Sequence, residues 1–144
     1  MLLLRRCLIL GTFLICAGNG CRSKPEARTP QEFIEMYSKA WQNADPETIL
    51  DLRVPRAATD LDMNSARMKA FEDSCNTADR DAIEQSIKRR DFEYTAWSRT
   101  TFEGARDHGD HVHVDVRTDA ARSEVVLVRR EGLLKIHPNP SQFQ

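Results

Sequence analysis

Between Thr29 and Leu52 the apolar side chains fall at helical spacing. Phe33, Tyr37, Ala40, Trp41 and Ala44 share one face, and Ile49, Leu50 and Leu52 follow after a polar break. Each run has a start signal. Thr29 is an N-cap, Pro30 occupies the first helical position where its missing N–H costs nothing, and Glu32 completes a capping box. Asp45 and Pro46 repeat the signal. Two consecutive helices are predicted, the first with an aromatic stripe that must lie across something. Pro55 ends the pattern and Arg56 to Asp62 reads as a connector. Asn64 or Ser65 can cap a further helix with Met68, Phe71 and Cys75 on one side. Asn76-Thr77 interrupts it, and Ala82, Ile83 and Ile87 resume the spacing, so residues 64–90 fit one kinked helix or two.

From Asp91 the period changes to two. Phe92, Tyr94, Ala96 and Phe102 alternate with polar residues, which predicts a strand, although Trp97 falls on the polar side. Gly104 to Asp110 is rich in turn formers. His111 to Arg117 alternates without a fault: Val112, Val114 and Val116 face one way, and His111, His113, Asp115 and Arg117 face the other. Glu124 to Arg129 reads as a more buried strand, and Glu131-Gly132 as a tight hairpin into Leu133 to His137. Pro138 and Pro140 end strand pairing and leave residues 139–144 as a loose tail. Helices first, then a four-stranded antiparallel meander, is the order of an α+β fold with the helical layer on one face of the sheet.

The chain of 144 residues allows one domain, assigned to residues 29–138. Residues 1–20 read as an export signal. Arg5 and Arg6 precede an apolar core from Cys7 to Ala17 of about 11 residues, too short to span a bilayer. Gly20-Cys21 then resembles a bacterial lipoprotein signal, in which the cysteine is lipidated and becomes the mature N-terminus. Gly18 and Asn19 depart from the usual Leu and Ala/Ser of that signal. Ordinary cleavage near Ala17 or Gly20, giving a soluble periplasmic or secreted protein, is the alternative. Residues 21–28 hold no large apolar side chain and read as a flexible tether.

Removing the signal leaves Cys21 and Cys75. With Cys21 lipidated, Cys75 stands alone as a half-buried helical residue; otherwise an oxidising envelope permits a Cys21–Cys75 bridge. The formal charge of −1 becomes −3 when Arg5 and Arg6 are lost with no acid, so nothing electrostatic favours nucleic acid. Lys88-Arg89-Arg90 is short and suits a helix C-terminus.

Two groups of residues carry candidate chemistry. Phe33, Tyr37, Trp41, Tyr94 and Val114 are candidates to line an apolar ligand pocket, or, as aromatics at helical spacing, to form core. His111 and His113, following His108, sit on one strand face, and His-x-His on a strand can chelate zinc or copper. Arg117 shares that face and no fourth ligand is evident, so solvated outer-face histidines are the reading preferred over a metal centre. No phosphate loop, Ser nucleophile motif or Cys-x-x-Cys occurs, and no cofactor is expected.

The segment from Tyr37 through Glu47, Tyr-Ser-Lys-Ala-Trp-Gln-Asn-Ala-Asp-Pro-Glu, precedes further short helices and long strands. With the closing Val125 to Ile136, it is similar to the nuclear-transport-factor-two-like (cystatin-like, SnoaL-like) superfamily, and most to its small bacterial envelope lipoproteins. The resemblance covers about Thr29 to His137. It implies a cone-shaped fold, a curved sheet wrapping the long helix around a pocket, and relatives that dimerise through the outer sheet face. The superfamily holds isomerase- and dehydratase-like pocket enzymes beside non-catalytic members. Its enzymes carry an acid or His in the pocket, whereas the inward positions expected here are Val112, Val114, Val116, Phe92 and Tyr94. The expectation is therefore a non-catalytic, lipid-anchored envelope protein, at the outer membrane if the host has one. It would bind a protein partner or a small apolar ligand, with a pocket enzyme as the alternative.

Overall fold

Thr29 caps the first helix as its sequence dictates. Its hydroxyl accepts from the Glu32 N–H at 3.2 Å, and Glu32 accepts in return from the N–H groups of Thr29 and Arg28, both at 3.1 Å. The computed structural model describes residues 23–55, 65–119 and 121–137, without the side chains of 65–69, 71 and 72. The expected export signal, Cys21, the connector over 56–62 and the tail over 139–144 lie outside the described residues, as do the side chains of Met68 and Phe71.

Helix α1 runs Pro30–Gln42 and α2 runs Pro46–Asp51, capped by Asp45. Helix α3 is Ser65–Arg89 and α4 is Phe92–Ser98. Four antiparallel strands follow in sheet order β1-β2-β3-β4: β1 Thr101–Asp107, β2 His111–Arg117, β3 Arg122–Arg130 and β4 Leu133–Ile136. The molecule is α+β, with its helices N-terminal to an open antiparallel meander.

Two expectations are corrected and one open alternative is resolved. Residues 92–98 are helix, not strand. The Asp91 carboxylate accepts from the Tyr94 N–H at 3.2 Å and from the Ser86 hydroxyl at 2.9 Å, a cap that alternation does not reveal. Helical geometry brings Tyr94 and Trp97 to the core and leaves Phe92, expected to face inward, 86% exposed. Trp97, the residue that spoiled the alternation, was reporting a period of 3.6. Second, the alternative left open over residues 64–90 resolves to one helix, α3, which passes through Asn76-Thr77 without a break; the Thr77 hydroxyl donates back to the Asp73 carbonyl at 2.9 Å. Third, Gly104–Asp107 belongs to β1, so the turn between β1 and β2 occupies only residues 108–110. Register shifts between Phe102 and Gly104, where a bulge carries the pairing.

Ala44 is also displaced from the apolar face. It lies exposed past the end of α1 at φ 53°. The Asp45 N–H donates to Ala40 O at 2.9 Å and the Ala44 N–H to Trp41 O at 3.2 Å, a Schellman stop.

The core lies between α1 and the sheet. Phe33, Ile34, Tyr37 and Trp41 meet Ile49, Leu52, Ile83, Val112, Val114, Leu127 and Leu134, all at most 1% exposed. Burying each large side chain contributes about 1.5–3 kcal/mol. The edge of β4 is covered rather than open. The Leu134 N–H donates to Ala27 O at 2.8 Å, the Ile136 N–H to Leu52 O at 2.9 Å, and the Val54 N–H to Ile136 O at 2.9 Å. Ala27 is fully buried, so the packed domain begins inside the stretch expected to be all tether.

Candidate functional site

Of the five pocket candidates, Phe33, Trp41 and Val114 are sealed in the core. The aromatic stripe packs on itself: Phe33 stacks on Tyr37 at 5.5 Å between centroids, and Tyr37 meets Trp41 and Trp97 edge-on at 6.3 and 4.7 Å. Tyr94 packs edge-on to Trp41 at 6.5 Å. The space that could have been an apolar cavity around α1 is occupied by these rings and by the β2 valines.

Tyr37 lines a cleft of about 330 Å³, together with Arg53, Glu93, Trp97, Ile136 and His137 among others. Arg53 organises it. Its Nε donates to the Tyr37 hydroxyl at 2.8 Å and its Nη2 to Glu93 at 2.7 Å, with the guanidinium 5.9 Å from the Tyr37 and Trp41 ring centroids. Burial pushes the Tyr37 phenol up, against the pull of Arg53. Tyr37 and Glu93 both engage one cation, which ties α1 and α4 to the segment after α2. Neither Arg53 nor Glu93 stood out in the sequence, because they are 40 residues apart.

The second cluster is on the other side of the sheet. His111 and His113 alternate with the buried valines of β2, as their spacing predicts. They are on the outer face but partly shielded: their side chains are 17% and 15% exposed. Their cross-strand partners are Val128 and Val126, both nearly buried, so the imidazoles rest on an apolar floor. His108 joins them because its N–H donates to His111 O at 2.9 Å, closing the hairpin. The ring centroids of the three are 4.9, 5.0 and 5.1 Å apart.

Two carboxylates hold these rings. His111 Nδ1 lies 2.7 Å from Asp110 Oδ1, and His113 Nδ1 lies 2.7 Å from Glu124 Oε1 on β3. An ionised carboxylate only accepts, so each Nδ1 carries the proton and donates. Those bonds are the main reason that both acids are held below the usual carboxylate range. Arg106, the cross-strand partner of His113, pairs with Glu124 and lies 3.3 Å from Asp115. Sequence reading named the histidines but missed the carboxylate support. Glu124 lies 11 residues beyond His113 and reaches it only through strand pairing.

Cys75 is half-buried on α3. Among the described residues, no helix is long and apolar enough to cross a membrane. No family model, curated protein or solved structure matches the chain.

Proposed function

We propose that this is an exported protein held at the cell envelope by lipid on Cys21, and that its α+β domain is a non-catalytic binding module for a protein partner. The observation that carries the reading is the filled interior: Phe33, Tyr37, Trp41 and Val114 each show no exposed surface. A pocket enzyme or carrier of apolar ligands needs an open cavity there. The residues left for recognition are on the outside, where the cleft at Arg53 combines polar Asp79, Glu93 and His137 with apolar Val54, Trp97 and Ile136. The resemblance to small envelope lipoproteins of the nuclear-transport-factor-two-like superfamily supports the same reading, and so does the Gly20-Cys21 junction after a short apolar core.

The test is a native mass spectrum of the full-length protein gently extracted from its own membranes. A chain starting at Cys21, carrying acyl groups and no small-molecule adduct, is the expected result. A chain without acyl groups that retains a reproducible apolar adduct overturns both the anchor and the filled-core argument. It would bring the pocket-enzyme or carrier reading forward.

A further inference from the structure

Three of the four histidines in the chain converge on one spot, on a face of β2 that also carries Asp115 and Arg117. Each of His108, His111 and His113 offers one ring nitrogen, and the three nitrogens lie within 4.8 Å of one another. Tetrahedral zinc with Zn–N bonds near 2.0–2.1 Å places its nitrogens roughly 3.4 Å apart. The rings therefore need to close by little more than 1 Å, which small χ rotations supply.

The surroundings fit a metal centre better than a chance cluster. Metal-ligating histidines donate their second ring N–H to a carboxylate, which fixes the tautomer and raises the basicity of the other nitrogen. Asp110 and Glu124 provide such contacts to His111 and His113, both at 2.7 Å. Protonation at Nδ1 puts the imidazole lone pair on Nε2. The Val126 and Val128 floor removes water from one side of the rings, which strengthens the electrostatics of a bound dication. The two anions offset its charge, and Arg106 draws part of that negative potential away through Glu124. Imidazole ligands select zinc, copper and nickel over magnesium or calcium, which prefer oxygen.

We propose that His108, His111 and His113 form a tridentate site for a divalent late first-row transition ion, with Asp110 and Glu124 as its supporting outer shell. The site is independent of the lipid anchor and of the Arg53 cleft. It sits on one hairpin, with two ligands on β2 and one in the turn that His108 N–H closes onto His111 O. Three imidazoles leave a fourth coordination position for water or a partner's side chain. That is the geometry by which a surface site can bridge two proteins as well as store an ion.

The experiment is a competition titration of the untagged full-length protein, stripped with a chelator, in which ZnCl2 is shared with a chromophoric zinc indicator. The expected result is one equivalent bound. The His111→Ala/His113→Ala variant should lose more than ~100-fold in affinity, beyond the ~10–100-fold that outer-shell partners carry. Glu124→Ala should lose about 10-fold or more and Glu124→Gln should recover part of it, because the amide oxygen still accepts from Nδ1. Cys75→Ser should bind as wild type. Equal affinity in wild type and the double variant overturns the proposal. X-ray absorption on zinc-loaded wild type decides the matter if the variants fail to fold: three imidazoles without sulfur support the site, and sulfur or an all-oxygen shell overturns it.

Discussion

Arg53 Nε donates to the Tyr37 hydroxyl at 2.8 Å in a cleft that both residues line, while the same guanidinium holds Glu93. The Tyr37 ring belongs to the core and its hydroxyl to the cleft, so one side chain couples packing to polar structure. Tyr37→Phe keeps the ring and removes the acceptor, leaving a largely buried guanidinium nitrogen unsatisfied. A loss of about 1–3 kcal/mol in urea unfolding is expected. Glu93→Gln, at a partly exposed pair, should cost no more than about 1 kcal/mol. Equal costs for the two changes would contradict this division.

Ala44 occupies the left-handed region at the Schellman stop of α1, where a Cβ is unfavourable and glycine is not. Ala44→Gly should therefore stabilise the protein by about 0.5–1 kcal/mol, against the usual cost of adding a glycine. At the β3–β4 turn a glycine already occupies such a position. Glu131 and Gly132 both have positive φ, 52° and 79°, and Gly132→Ala should lower the melting temperature. A neutral Ala44→Gly would mean that α1 stops differently in solution.

Thr29→Ala should remove about 1 kcal/mol by opening the capping box that starts α1. Asp91→Ala should lower the melting temperature and reduce helical circular dichroism, whereas Asp91→Asn keeps most of both. A strand over 92–98 would be insensitive to either change, so this pair distinguishes the two readings of that segment.

Acid should destabilise the protein through its caps and turn carboxylates. Glu32 is held low by the N–H groups of Thr29 and Arg28, Asp91 by that of Tyr94, and Asp107 by that of Gly109. A folded-state pKa below the unfolded one means that the unfolded chain binds more protons. The stabilisation is then complete above the ordinary carboxylate range of about 4 and is lost as pH falls through the depressed values. Urea midpoints should be level near neutrality with respect to these groups and fall below about pH 4. The Glu32→Gln/Asp91→Asn variant should show a shallower fall, and an unchanged slope would refute the assignment.

Much of this molecule was legible from local pattern. Caps are local: Thr29, Pro30 and Glu32 act within one helical turn, and Asp45-Pro46 does the same, so α1 and α2 start where the residues say. Alternation is local as well, and β2 spans His111–Arg117 as its valines require. Residues 92–98 failed because a short apolar run satisfies periods of 2 and 3.6 together, and the cap at Asp91 draws its second bond from Ser86 on α3.

From its residues alone the chain determined the α+β order, the starts of α1 and α2, the meander and the inward valines, because backbone hydrogen bonding and burial act on neighbours in sequence. Only the tertiary structure decided what shares a site. The β1–β2 turn swung His108 over His111 and His113, and strand pairing delivered Glu124 to His113 and Val126 beneath it. Packing placed Tyr37, from α1, against Arg53 and Glu93. Register and packing are long-range quantities, and no window of sequence contains them.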